Sequence, residues 1–212
     1  DNIQLMVGSR DHYDCWTELI PSADFVDYYR NADGSEFKWS AYLTGWDDLT
    51  PAQREVFFLR NNLTSNQSAY NDAKSRIGAE VMNKYYLDSG NEARIKKAYE
   101  SRDPRLQQTI ITPYSSTNCY SPYWNSGEPM QNKVLRWPYL NRGGNNGDMW
   151  HNQRNAGYYI YKKYNETEKG RYIERLRCHC DYPLIRFTDV WLLYAEALNE
   201  KDRLDEAIIA VN

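Results

Sequence analysis

Tyr182-Pro-Leu-Ile-Arg-Phe-Thr-Asp-Val-Trp-Leu-Leu-Tyr-Ala-Glu-Ala-Leu-Asn-Glu200 holds the strongest periodic signal in the 212-residue chain. Phe187, Val190, Trp191, Tyr194 and Leu198 stand at offsets 0, 3, 4, 7 and 11, one face of an α-helix. Leu193 and Ala197 widen that face, so the helix is expected to be largely buried, with Trp191 on its inner side. Thr188 and Asp189 are the expected starters, because short oxygen side chains accept from the free N–H groups of a first turn. Lys201-Asp-Arg203 interrupts the pattern, and Leu204, Ala207, Ile208 and Val211 open a second apolar helix. Helix, short polar turn and helix make an αα-hairpin over 183–212. Trp191, Tyr194, Ala195, Ala197 and Ala207 give it a loose likeness to a tetratricopeptide unit. The pair is expected to be the stability centre of the chain, and it needs partner helices to cover its second face.

Upstream of the hairpin, residues 157–164 alternate as a strand, whereas 113–156 show no sustained period. That long segment reads as an irregular loop rich in Tyr and Trp, and its aromatics argue against disorder. Leu106 to Thr112 reads as a strand, after a short helix capped by Asn91 and ended by Asp103-Pro104. Ala73, Ile77, Glu80, Val81 and Tyr85 predict one amphipathic helix over 69–87, stopped by Ser89-Gly90. Thr50-Pro-Ala-Gln53 is a capping box with Pro at the first helical position. Pro21-Ser22 starts a helical turn bearing Phe25, Val26 and Tyr29, and Ile3 to Val7 reads as a strand.

The length fits one domain, or a large piece of one. With 26 basic and 29 acidic residues the formal charge is -3, which argues against a nucleic-acid or anionic-membrane partner. The longest apolar run, near 190–195, falls far short of the roughly 20 residues a membrane span requires. Cys15, Cys119, Cys178 and Cys180 are compatible with buried thiols or a disulfide in an exported protein. Together with His12 and His179 they have the chemistry of zinc ligands, but not the spacing of a zinc motif, so no metal is expected. Asp47-Asp48 and Glu128 lie near aromatics, as glycosidase carboxylates do. No nucleophile motif, phosphate loop or dinucleotide fingerprint accompanies them, so neither an enzyme nor a cofactor is expected.

Aromatics make up 15% of the chain, with 19 Tyr and 7 Trp against 5 Phe. Tyr and Trp have a polar tip, and an excess of them suits a surface that meets amphipathic ligands such as sugar rings. Some chains build cores from Tyr, so each ring has that alternative too. Two stretches set rings beside Asn, Asp or Arg, which hydrogen-bond vicinal hydroxyls. They nominate Trp39, Tyr42, Trp46, Asp47, Tyr120, Tyr123, Trp124 and Trp150 as ligand-binding residues, with Trp46, Tyr123 and Trp124 as a stacking platform. Trp137, next to Pro138, reads as a loop anchor.

Three ordered stretches carry a family resemblance. Pro183-Leu-Ile-Arg186, Asp189-Val190 and Tyr194-Ala-Glu-Ala-Leu198 resemble the C-terminal signature of SusD/RagB-type nutrient-binding lipoproteins. Ile20 to Asp27 with Ala32-Asp-Gly34 and Phe37-Lys-Trp39, and then Ser101-Arg-Asp-Pro-Arg-Leu106, resemble earlier segments of the same family. The resemblance implies that 1–212 is the C-terminal portion of a single longer domain, mostly α with minor β. It implies a tetratricopeptide-like helical scaffold with long irregular aromatic-rich loops. It further implies non-catalytic capture of oligosaccharide, polysaccharide or glycopeptide by a cell-surface lipoprotein of a Gram-negative outer membrane. The partner would be a SusC-type TonB-dependent transporter, and the membrane would be held only through a lipid anchor outside this chain. The family has no invariant ligand motif, so no site residue transfers from it. A protein-binding helical scaffold and a glycan-active hydrolase are the rival readings.

Overall fold

The computed structural model describes Val7 and residues 19–119, 131–137, 149, 159–165, 167 and 183–211. The chain divides into two compact units, 1–180 and 181–212. Among the described residues it is mostly α with minor β, as expected.

In the first unit, Ser22 caps helix α1 (Ala23–Asp27) by accepting from Phe25 N, and Val26 is its buried residue. Short 3-10 turns follow at Trp39–Ala41, Trp46–Asp48 and Gln53–Phe57. The expected capping box is formed: Gln53 Oε1 accepts from Thr50 N and Thr50 Oγ1 accepts from Gln53 N. It opens a 3-10 turn instead of the α-helix it predicts. The single helix expected over 69–87 is two, α2 (Gln67–Ile77) and α3 (Ala79–Tyr85). Gly78 stands between them at φ 103, a backbone state outside the helical range and open to glycine.

Helix α4 (Asn91–Glu100) holds Ile95, Ala98 and Tyr99 in the core. Asn91 is not its cap. The side chain is buried and Nδ2 donates to the carbonyls of Val56, Phe57 and Leu59, tying the 3-10 segment to α4. The strand expected at 106–112 is mostly helix: α5 (Pro104–Thr109), with Asp103 as cap and Pro104 in the first turn, then β1 (Ile110–Ile111). Pro104 does double duty, closing the preceding helix and supplying a first-turn residue without a needed N–H. Strand β1 pairs antiparallel with β4 (Ile160–Tyr161). Inside the segment read as irregular, β2 (Ser116–Cys119) pairs antiparallel with β3 (Gln131–Val134). Both strands are too polar to show the alternation that would have revealed them. Of the strand expected at 3–7, only Val7 is described, and its backbone is helical. A short apolar run reads equally as either element.

The core runs from Val26 through Leu43, Phe57, Ile77, Ile95, Tyr99 and Leu106 to Ile160. Arg102 lies within it, only 2% exposed. Its Nε donates to Tyr29 O at 2.9 Å, its Nη2 to Val26 O at 2.5 Å, and the guanidinium sits 3.5 Å above the Phe37 ring. One side chain thus fixes the end of α1 to the start of α5.

The second unit is the predicted hairpin, α6 (Phe187–Asn199) and α7 (Leu204–Val211). The helix starts earlier than Thr188 and Asp189, the expected starters: Arg186 is its cap, and Asp189, at the third helical position, reaches back so that its carboxylate accepts from Arg186 N at 3.0 Å. The helices meet through Ala195, Leu198 and Ala207, the buried residues of the pair. The expected burial of the aromatic stripe is not found: Trp191 is 43% exposed and Phe187 73%. Small side chains let two backbones approach, and the large ones then lie to the outside of the contact. Among the described residues, the large buried core cluster lies in the first unit. No helix of the described residues is long and apolar enough to cross a membrane.

Candidate functional site

A cavity of about 560 Å³ opens beside α1. Trp39, Trp46, Phe58 and Trp137 line it together with Asp27, Arg54, Glu55 and Tyr159. The tryptophans come from separate places, and the 3-10 turns aim the first two. Trp39 and Trp46 stack with centroids 4.8 Å apart and planes 22° apart. Phe58 meets Trp39 edge-on at 5.9 Å and packs against the Trp137 ring at 4.8 Å. Arg60 holds Trp137 in place by donating from Nε to its carbonyl.

Gly45 decides where Trp46 goes. It lies at φ 87, just ahead of the turn Trp46–Asp48, and a Cβ there would collide with the Tyr85 ring. Only glycine meets both demands, the left-handed backbone and the close approach.

Polar groups are set into this aromatic wall. Both Asp27 carboxylate oxygens accept from Trp39 Nε1 at 3.0 Å. Burial raises the Asp27 carboxyl above its ordinary value, against the pull of that indole N–H and of Arg102. Arg54 lies 5.0 Å over the Trp46 ring and donates from Nε to the Trp46 carbonyl, so its guanidinium plane is set by two contacts. Glu55 pairs with Arg76 Nη1 at 2.5 Å. Burial nonetheless raises its carboxyl, with Arg76 opposing. The Trp137 indole nitrogen lies close to Glu55 without a formed hydrogen bond. Tyr159, against Tyr99 at 2.6 Å between hydroxyls, closes the inner end. Flat apolar faces beside planar donors and carboxylate acceptors are the complement of a pyranose ring.

Of the residues nominated by sequence, Trp39 and Trp46 are brought together here. Trp39 is 7% exposed, so most of its ring is packing and only an edge faces the cavity. Tyr42 stacks on Phe37 at 5.6 Å and its hydroxyl donates to Asn31 Oδ1, which makes it a brace outside the cavity wall. Asp47 is exposed on the turn beyond Trp46 and does not line the cavity. Tyr120, Tyr123, Trp124 and Trp150 lie outside the described residues, as do Glu128, the three His, Cys15, Cys178 and Cys180. Cys119 is buried in β2.

Asp27, Arg54, Glu55 and Tyr159 escape sequence reasoning, because they sit in separate segments with no motif spacing. Trp137 was legible only as an anchor.

The sequence profile of the SusD family matches residues 2–212. The chain belongs to the SusD family. Comparison with curated proteins and with solved structures yields no significant match. Two of the ordered stretches of this SusD-family chain have local structural roles. Ser22 caps α1, Asp33 Oδ1 accepts from Ser35 N in the Asp-Gly turn, and Arg102 to Leu106 supply clamp, cap and first turn.

Proposed function

We propose that this SusD-family chain captures oligosaccharides without cleaving them, at an outer-membrane surface, for delivery to a SusC-type TonB-dependent transporter. In this reading 1–212 is the C-terminal portion of one domain, anchored by a lipid outside these residues, and the hairpin at 183–212 serves as scaffold. The supporting observation is the cavity in which Trp39, Trp46 and Trp137 meet Asp27, Arg54 and Glu55. Family membership supports the role. Isothermal titration against a panel of neutral and acidic oligosaccharides tests it. Trp46→Ala should weaken the responding sugar by about 1–3 kcal/mol, roughly ten- to a hundredfold, while the melting profile persists. Absence of binding across the panel would transfer the argument to the protein-scaffold reading.

A hydrolase remains the second reading, because two carboxyls with raised proton affinity, Asp27 and Glu55, line one cavity. Both are already engaged, Asp27 by Trp39 and Glu55 by Arg76. Carboxylates held this way serve as acceptors for sugar hydroxyls. Chromatography of each bound oligosaccharide after prolonged incubation should return it intact.

A further inference from the structure

Helix α1 has three faces in use. Val26 is fully buried, while Ala23, Asp24 and Asp27 border the tryptophan cavity. Phe25, together with Tyr28 and Tyr29 just past the end of the helix, borders a second cleft of about 410 Å³.

The second cleft has the makings of a sugar site of its own. Tyr28 is 87% exposed, so its ring is not used to hold the fold. Phe25 is braced edge-on against Tyr29 at 5.7 Å, and stays 43% exposed. Two guanidinium groups flank the rings and both are held in place. Arg30 Nη1 donates to Gly34 O at 3.1 Å, and Arg105 grips the Asp103 carboxylate from Nε and Nη2. Donors fixed before a ligand arrives lose less freedom on binding. The charge balance also differs from the first cavity. Here two arginines face one carboxylate, whereas there Asp24, Asp27 and Glu55 face Arg54.

We propose that this cleft is a second subsite and that one oligosaccharide chain crosses α1, held by Trp46 on one side and Tyr28 on the other. The proposal rests on the glycan reading above and deepens it: the ligand is a chain long enough to span a helix, and a mono- or disaccharide fills one side alone. A helix with its side chains is about 10 Å across, so two clefts flanking it lie a few sugar units apart. Joining two weak sites through one ligand raises affinity steeply once the chain reaches both.

The test is titration of the 212-residue chain with homologous series from disaccharide to octasaccharide, neutral glucans and xylans in one arm and galacturonides in another. Affinity should climb roughly a hundredfold along the responding series, the low end of what such linkage yields. Tyr28→Ala should leave the disaccharide unchanged and cut the octasaccharide about tenfold, whereas Trp46→Ala should weaken both. Arg30→Gln, at the other rim of the cleft, should repeat the Tyr28→Ala pattern and guards against an effect of either variant on folding. Equal affinity at all lengths, or an octasaccharide indifferent to Tyr28→Ala and Arg30→Gln while Trp46→Ala still weakens it, overturns the second subsite and leaves the first intact. No response to any sugar overturns the glycan reading and the subsite with it.

Discussion

Asp27 shows how much a single side chain depends on its surroundings. Burial raises its carboxyl above 3.8, and Glu55 is raised above 4.5 for the same reason. The folded chain therefore takes up these protons at higher pH than the unfolded chain does. Their contribution to stability is full at low pH and is lost as pH rises through the folded values. Asp103 has the opposite sign. Hydrogen bonds from Arg105 hold it at about 2, so its contribution is complete above 3.8 and disappears as pH falls toward 2. Asp27→Asn keeps an acceptor for the Trp39 indole and removes the titration. Thermal melts across about pH 4 to 7 should show the parent losing stability relative to the variant as pH rises. A constant gap between the two would mean that Asp27 titrates as an ordinary carboxyl. None of this was readable beforehand: Asp27 looks like the last residue of a helical turn until Trp39, twelve positions on, is seen bonded to it.

Among the elements, the C-terminal hairpin was legible in kind and register but not in orientation. A 3.6-residue period shows that a helix has an apolar face; it does not show whether small or large residues meet the neighbour. Here Ala195, Leu198 and Ala207 do, and Trp191 stays 43% exposed. Leu198→Ala should therefore cost about 2–5 kcal/mol in the hairpin, as a buried deletion does, and Trp191→Ala about 1 kcal/mol or less. Urea unfolding followed by circular dichroism ranks the two, and the reverse order would put the aromatic stripe inside a contact. The other misread element is Leu106–Thr112. Asp103-Pro104 marks the end of one helix, but Asp before Pro is equally a start, and six helical residues leave too little sequence for a period to emerge. The capping box at 50–53 was right in its bonds, but a cap specifies where a turn begins and not how far it continues.

Across the molecule, the family and the fold class were open to reading because they rest on ordered motifs and on periodicity. The cavity was not, because it is assembled from residues as far apart as Ile20 and Tyr159. Arg102 is the piece that holds the distant parts together. Arg102→Met keeps the volume but leaves the Val26 and Tyr29 carbonyls without their donor. We expect a loss of about 3 kcal/mol and an early red shift of Trp fluorescence during unfolding. Arg102→Lys should rescue little, since an ammonium cannot lie flat on Phe37 while reaching both carbonyls. An unchanged melt for Arg102→Met would show that α1 is held by its apolar contacts alone. The same clamp sets an order of events while the chain is being made. Its two bonds bridge 73 and 76 positions of sequence, so α1 and both of its faces emerge long before the residue that pins them. At a synthesis rate of roughly 5–20 residues per second, that interval lasts several seconds. For that time Trp39, Trp46 and Phe58 have no finished wall to join, and the nascent chain is at its stickiest through the very rings that later face the ligand.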